Sequence, residues 1–185
     1  MNQARSDSGA TSLAANCEDE DHYIEAREWL RSAGYSSGEV IVIDGATGSG
    51  KTNLAMRLAK DLGAVRVSLD YYLHAGTAGY YVDRLKQEFL SDDIVRFRRS
   101  FPFVLVEGIC VREALNRIEQ PWTTSIYVKQ IGSNELWHFL FHLEDFKNRE
   151  SEPEDLEEPF HSDYTYHAHY CPHENANFTY VRVAD

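Results

Sequence analysis

The sequence has few cysteines, no long apolar run and fewer basic than acidic residues, and each shortage excludes a class of protein. Its three cysteines, Cys17, Cys110 and Cys171, are far apart and odd in number, which argues against a disulfide framework and suits a reducing compartment. No apolar stretch approaches the roughly 20 residues that a transmembrane helix needs, and residues 1–21 lack the apolar segment of a signal peptide. We therefore expect a cytoplasmic protein that has no membrane partner.

The shortage of basic residues argues against a nucleic-acid partner. The 30 acidic residues outnumber the 18 basic ones and leave a net charge of -12, whereas affinity for nucleic acid comes mostly from Lys and Arg that neutralise phosphates. An anionic ligand would need local positive charge at its binding site. The length of 185 residues and the hydrophobic content of 43% suit one domain with a sizeable core. We predict a flexible tail over residues 1–18 and a single domain over residues 19–185.

Apolar runs alternate with helical patterns along the chain. Such alternation is typical of a parallel sheet that is covered by helices on both faces, so the sequence predicts a three-layer αβα fold with a five-stranded parallel sheet. The predicted strands cover residues 40–44, 65–69, 103–106, 123–129 and 178–183. The predicted helices cover residues 21–33, 53–62, 79–90, 112–118 and 134–148.

A glycine-rich turn follows the first predicted strand, in the stretch VIVIDGATGSGKT. It meets the P-loop pattern G-x-x-x-x-G-K-[ST] in full, with a strand before it and a helix after it. Backbone N–H groups of such a turn bind phosphate oxygens, the lysine reaches the β- and γ-phosphates, and the final hydroxyl can bind Mg²⁺. The turn therefore predicts a P-loop NTPase fold that binds ATP and Mg²⁺ through Gly45, Ala46, Thr47, Gly48, Ser49, Gly50, Lys51 and Thr52.

Two acids end neighbouring predicted strands, Asp70 in VRVSLDYYL and Glu107 in FPFVLVEG. The carboxyl ends of parallel strands line the ligand crevice of an open α/β sheet. There Asp70 could accept the proton of an attacking hydroxyl, and Glu107 could hold Mg²⁺ through water. Each acid could instead cap a turn. Their shared place beside a P-loop favours the catalytic interpretation.

These stretches, with SIYVK further along, make residues 39–130 resemble the uridine kinase and phosphoribulokinase branch of the P-loop kinases. The resemblance implies that Lys51 and Asp70 are catalytic and that Thr52 and Glu107 hold Mg²⁺. It places Tyr71 and Tyr72 beside the acceptor substrate, with Tyr80 or Tyr81 as further candidates to enclose it, and implies that the acceptor is a small molecule, such as a nucleoside or a sugar.

The chain departs from that family after the fourth predicted strand. The family has arginines there that brace the transferred phosphoryl group, whereas this sequence has only Lys147 and Arg149 before six acids within residues 150–158. Arginines elsewhere could supply the charge or could lie on a solvated face, and we take two of them, Arg84 and Arg112, as candidate substrate residues. The others are Arg96, Arg98 and Arg99.

Alternating histidines near the end of the chain allow a second interpretation of that segment. His167, His169, Cys171 and His173 would share one side of an extended strand and could bind zinc, with His161 as a further ligand. On a helix or in a loop they would be ordinary polar residues, which is the interpretation that we favour because no second ligand pair follows.

The predicted activity is therefore ATP-dependent phosphoryl transfer to a hydroxyl of a small molecule. Two alternatives stay open on the sequence. The acidic segment would also suit a regulatory nucleotide-binding protein without catalysis, and a P-loop ATPase would use water as the acceptor.

Overall fold

The sheet has five parallel strands in the order β2-β3-β1-β4-β5, with the first strand of the chain at its centre. The computed structural model describes residues 8–148 and 156–184, with side chains from residue 19 onward. The predicted five-stranded parallel sheet is confirmed. Its strands are β1 Glu39–Gly45, β2 Val65–Ser68, β3 Phe103–Glu107, β4 Thr124–Ile131 and β5 Phe178–Val183. The helices are α1 Ser8–Ser32, α2 Lys51–Leu62, α3 Gln87–Arg98, α4 Val111–Arg117, α5 His138–Lys147 and α6 Phe160–Tyr170.

Helices cover both faces of the sheet because successive side chains of a strand point to opposite faces. In β1, Val40 and Val42 enter one apolar core, which also contains residues of α3, α4 and α6. Ile41 and Ile43 enter a second core, which also contains residues of α1 and α2. The predicted three-layer αβα arrangement is confirmed, and the turn that follows β1 lies at the middle of the sheet.

Helix α1 packs against the edge strand β5, although the two are far apart in sequence. Asp19 accepts the N–H of Val183 at 3.0 Å, and His22 Nδ1 lies 2.8 Å from the carbonyl oxygen of Val181. The helix begins at Ser8, within the segment predicted as a tail, while residues 1–7 lie outside the described part of the chain. Across residues 8–148 and 156–184, no helix is both long and apolar enough to cross a membrane.

The helix predicted over residues 79–90 is wrong. The chain forms a 3₁₀ turn at Tyr81–Arg84 and then becomes extended, because Leu85 forms an antiparallel bridge with Leu73. The apolar residues of this segment are spaced like one face of a helix, but some are buried in the 3₁₀ turn and others in the extended stretch that follows. Helix α3 begins after this bridge.

The helix predicted over residues 134–148 begins later, at His138. Glu135 takes a positive φ of 61°, and its N–H donates to the carbonyl of Gly132 at 2.9 Å. This turn follows the end of strand β4, and the helix forms only after it.

Helix α6 has no counterpart among the predicted elements. The side chains that it buries include the polar residues Ser162, Asp163 and His167. A helix that buries polar groups has no apolar stripe with a period of 3.6 residues, which is the signal that predicts a helix.

A histidine–aromatic cluster joins α5 and α6 to β4. It consists of Tyr127, Trp137, Phe139, His167 and His173. The Tyr127 hydroxyl and His167 Nε2 are 3.0 Å apart, and the rings of Trp137 and His173 have centroids 5.2 Å apart. The Nδ1 atom of His173 is buried without a hydrogen-bond partner. The cluster therefore contains an imidazole that is poorly placed to carry a charge.

We expect His173 to make the protein less stable in mild acid. Burial lowers the pKa of His173 below its ordinary value of 6.5 and the neighbouring His167 acts in the same direction, while the Glu174 carboxylate, 3.5 Å from His173 Nε2, opposes them only in part. When the pH falls through 6.5, His173 takes up a proton in the unfolded chain before it does so in the folded protein. The free energy of unfolding is therefore unaffected by this group above pH 6.5 and decreases as the pH falls further. Thermal unfolding at pH 7.5 and pH 5.5 should show a smaller acid loss of Tm for His173→Gln than for the unmodified protein. The exposed His169→Gln is the matched control, and an equal effect of both substitutions would contradict the assignment.

Candidate active site

The turn between β1 and α2, residues 45–52, forms a phosphate cradle. Gly48 and Gly50 have φ values of 80° and 97°, a left-handed conformation that residues with a Cβ atom rarely adopt. Gly50 is the N-cap of α2, so the first N–H groups of the helix have no intrahelical partners. Such N–H groups at the positive end of a helix dipole bind phosphate oxygens.

Lys51 lies buried in the phosphate cradle. It is 6% exposed, and its Nζ donates to the carbonyl oxygen of Ala46 at 2.7 Å. Burial lowers the pKa of Lys51, and carboxylates around it act in the opposite direction; they belong to Asp163, Asp44, Glu107 and Asp70. Since the hydrogen-bond partner is a neutral carbonyl, Lys51 can exchange it for a phosphate oxygen without breaking an ion pair.

Glu107 closes β3 against the end of the phosphate cradle. Its Oε2 accepts the Thr52 hydroxyl at 3.2 Å, and its Oε1 accepts Arg66 Nη1 at 2.8 Å. Glu107 is 1% exposed, so this pairing is shielded from water. Hydroxyl and carboxylate oxygens are ligands that Mg²⁺ accepts, so Thr52 and Glu107 fit the predicted metal. No motif in the sequence predicts a cation beside Glu107, but Arg66 lies there.

Asp70 lies in a 3₁₀ turn, Leu69–Tyr72, that directly follows β2. Its Oδ1 accepts the hydroxyl of Tyr81 at 2.6 Å. Burial raises the pKa of Tyr81, and the hydrogen bond to Asp70 raises it further. The Tyr81 hydroxyl therefore stays protonated and holds the Asp70 carboxylate in one orientation.

One cavity of about 360 Å³ collects these groups. Of the residues predicted for the site, it is lined by Thr47, Gly48, Gly50, Lys51, Thr52, Asp70 and Glu107. The other three predicted cradle residues, Gly45, Ala46 and Ser49, are buried. The structure thus brings the proposed catalytic and metal-binding residues together.

The predicted substrate residues before β3 lie elsewhere. Tyr71 is 75% exposed to solvent. The Tyr72 hydroxyl donates to Asp93 of α3 at 2.7 Å, and Arg84 Nε donates to the Thr77 hydroxyl at 3.3 Å. Neither tyrosine nor Arg84 is among the described residues that line the cavity. Of the tyrosines considered from the sequence, Tyr81 does line the cavity.

Arg112, the remaining predicted substrate residue, is buried inside the protein. It is 7% exposed, and its Nη2 donates to the Ser125 hydroxyl at 3.1 Å and to the carbonyls of Pro172 and Asn175, each at 3.3 Å. Its Nε lies 3.7 Å from the carboxylate of Asp44, the residue before the phosphate cradle. These partners give Arg112 a structural position away from the cavity.

Two residues near the cradle are not predicted from the sequence. Arg182 of β5 lines the cavity, and a Cβ atom on Gly50 would lie only 3.1 Å from its Nη1. Asp163 of α6 is 1% exposed, and its Oδ2 accepts the N–H of Thr47 at 2.6 Å. Both come from the last elements of the chain, where no motif marks them, and only the folded arrangement brings them to the P-loop.

The zinc interpretation is wrong for the described residues. Among them, no group of three or more His, Cys, Asp and Glu side chains could hold a metal ion. His167 and His169 lie on α6, and the Nδ1 of each is 2.8 Å from the carbonyl oxygen four residues earlier.

The sequence has two bases before its acidic segment, Lys147 and Arg149. Lys147 pairs with Glu144 on α5 at 3.2 Å. Arg149 and the acids up to residue 155 lie outside the described residues.

Comparison with known proteins finds similarity in structure only. No family model matches the sequence, and no curated protein matches it. A solved structure of a possible uridine kinase from Bacillus stearothermophilus is 16% identical with a TM-score of 0.58, covering 87% of this chain and 98% of that chain. A sugar kinase from Janibacter sp. HTCC2649 is 16% identical with a TM-score of 0.48, covering 78% and 84%. Shikimate kinase from Bacteroides thetaiotaomicron is 15% identical with a TM-score of 0.39, covering 76% and 85%. The first of these shows that the chain has a P-loop kinase-like fold.

Proposed function

We propose that this chain, which has a P-loop kinase-like fold, transfers the γ-phosphoryl group of ATP to a hydroxyl of a small molecule. One observation carries the proposal: Lys51, Thr52, Asp70 and Glu107 line a single cavity over the phosphate cradle. A phosphate cradle alone would be equally consistent with a regulatory nucleotide-binding protein or with a P-loop ATPase. A carboxylate from a different strand end adds a base for an acceptor hydroxyl. The similarity to the possible uridine kinase supports the same reaction class.

The phosphate cradle and two cations would bind the triphosphate. Backbone N–H groups of residues 48–52 bind phosphate oxygens, and Lys51 exchanges the Ala46 carbonyl for the β- and γ-phosphates. Arg182 adds positive charge beside Gly50, where the acidic chain otherwise has little. Mg²⁺ held by Thr52 and Glu107 would neutralise charge on the phosphate oxygens. A cytoplasmic location, where ATP is abundant, is part of the same proposal.

Asp70 would act on the acceptor. Its carboxylate accepts the proton of the acceptor hydroxyl while that oxygen bonds to the γ-phosphorus and the bond from this phosphorus to the β–γ bridging oxygen breaks. ADP and the phosphorylated acceptor are the products. Tyr81 fixes the carboxylate for this step, and the cavity walls exclude part of the surrounding water.

Turnover measurements on the purified protein test the proposal. We expect ADP release from Mg-ATP to depend on the acceptor when nucleosides and small polyols are supplied one at a time. Equal ADP release with and without any acceptor would favour the ATPase alternative. Tight ATP binding without turnover on any acceptor would favour a regulatory nucleotide-binding protein.

Asp163 places a carboxylate against the phosphate cradle, and its removal should strengthen ATP binding. In Asp163→Asn the amide oxygen can still accept the Thr47 N–H, and the negative charge beside the phosphates is lost. The same carboxylate lies 3.0 Å from His167 Nδ1 and raises the pKa of Lys51, and the loss of these two contacts offsets part of the gain. We expect the Kd for ATP to fall about tenfold, which corresponds to roughly 1.4 kcal/mol, as measured by calorimetric titration. Asp93→Asn, on α3, makes the same chemical change away from the cradle and should leave the Kd unchanged. Weaker ATP binding by a folded Asp163→Asn protein would contradict the repulsion.

A further inference from the structure

The part of the cavity outside the phosphate cradle is acidic and apolar. Six of its residues come from the segments after β2 and β3 and from the start of α6, and we call them the acceptor wall. They are Asp70, Tyr81, Glu107, Gly108, Ile109 and Pro159. Two of the six are carboxylic acids, Asp70 and Glu107, and none is a lysine, arginine or histidine. The other side chains present an aromatic ring and apolar atoms.

Two arginines of the neighbouring elements are held by acids, and Arg84, which donates to the Thr77 hydroxyl at 3.3 Å, is not among the described residues that line the cavity. Arg66 of β2 donates to Glu107 at 2.8 Å. Arg117 of α4 forms ion pairs with Asp83 and Glu113, the latter at 2.8 Å. A phosphate or carboxylate group of a substrate is ordinarily recognised by an arginine whose N–H fork is free to bind it. These arginines would have to give up a carboxylate first.

The bases that do line the cavity lie at the phosphate cradle. Among its described lining residues these are Lys51 and Arg182. Lys51 is buried in the cradle, and Arg182 lies beside Gly50 with its Nε 3.7 Å from the Asp19 carboxylate, and its Nη1 is the nitrogen nearest the cradle. Both are placed to meet the phosphates of the nucleotide. An anionic acceptor would therefore meet the Asp70 carboxylate and the nucleotide's own phosphates, while Arg66 is already engaged by Glu107 and Mg²⁺ held by Thr52 and Glu107 would be engaged by the phosphates.

We propose that the acceptor is a small uncharged or cationic hydroxyl compound and that the acceptor wall rejects sugar phosphates and hydroxy acids. This inference rests on the proposed function and narrows its substrate class. Like charges in a partly enclosed site repel more strongly than in water, and the net charge of -12 slows the approach of anions further. The cavity of about 360 Å³ must also hold the γ-phosphoryl group, so the acceptor is small.

Acceptors of similar shape and different charge test the inference. One set is glucose, glucosamine and glucuronate, and a second is uridine and its carboxylated analogue orotidine. Glucosamine lacks the 2-hydroxyl and glucuronate lacks the primary hydroxyl of glucose, whereas uridine and orotidine share every ribose hydroxyl and are therefore the decisive pair. With acceptor-dependent ADP release as the readout, we expect kcat/KM for the uncharged or cationic members to exceed that for the anionic members about 10-fold, the effect of roughly two unfavourable charge contacts that each cost less than about 1 kcal/mol. Higher ionic strength should raise kcat/KM for glucuronate or orotidine and narrow this ratio, because salt screens the repulsion.

The outcomes separate this inference from the proposed function. Asp70-dependent turnover in which glucuronate or orotidine is the equal or better acceptor would overturn the inference and leave the kinase activity standing. A preference for uncharged acceptors that does not change with ionic strength would also overturn it, because the selection would then be steric. Absence of acceptor-dependent ADP release from both sets and from the wider panel would overturn the proposed function, and this inference with it.

Discussion

Asp70→Asn is expected to lower kcat for phosphoryl transfer by about 10²- to 10⁴-fold, the range that a positioned general base contributes. An amide of the same size can keep a hydrogen bond with Tyr81 but cannot take the acceptor proton. The nucleotide phosphates are bound by the cradle, so the Kd for ATP should change by less than about twofold. Steady-state ADP release and calorimetric ATP titration measure the two quantities separately.

Asp83→Asn is the matched control for this change. Asp83 lies two residues from Tyr81, is exposed, and pairs with Arg117 rather than lining the cavity. We expect its kcat to stay near that of the unmodified protein. If Asp70→Asn retained full kcat, Asp70 would not be the base. If it also lost ATP binding, the carboxylate would act on the nucleotide instead of the acceptor.

Arg112→Met is expected to destabilise the protein by about 3–5 kcal/mol, as is typical when one partner of a buried ion pair is removed. The substitution leaves the fully buried Asp44 without its cation and leaves the carbonyls of Pro172 and Asn175 without their donor. Burial already raises the pKa of Asp44, and the loss of Arg112 should raise it further. Chemical denaturation of the unmodified and substituted proteins gives the difference in unfolding free energy.

Arg117→Met provides the comparison, because Arg117 is a more exposed arginine with two acidic partners. Its loss should cost no more than about 1 kcal/mol, the usual value for a surface ion pair. If Arg112 served the substrate, as the sequence suggests, Arg112→Met would leave stability close to that of Arg117→Met and would raise KM instead. The pair of variants therefore separates a structural role from a substrate role.

The elements that were predictable from the sequence are those whose signal is local. The strand around Ile41 and Ile43 is a continuous apolar run, and the glycine positions of the phosphate cradle follow from backbone geometry alone. Asp70 and Glu107 could be found because an acid at the end of a parallel strand lies at the ligand edge of the sheet.

What the sequence did not reveal depends on distant partners. Helix α6 is stabilised by contacts of buried polar residues such as Asp163, so it has no apolar stripe. Arg182 reaches the cradle only because β5 pairs beside β4, and nothing in the local sequence marks the arginine. Arg112 looks like a free cation until its partners on three other segments are known.

The docking of α1 on β5 has a consequence for how the protein is made. Contacts such as Asp19 to Val183 join residues that are 164 positions apart, and chain entropy makes such distant pairings slow to form. While the chain grows from its N-terminus, α1 can pack against α2 and the core around β1, but the edge strand β5 is absent until residues 178–183 have been synthesised. Arg182 arrives on that same strand. Pairing of β5 therefore completes the docking of the first helix and brings the cation beside Gly50 into place, and a nascent chain that has not yet formed β5 should bind nucleotide more weakly.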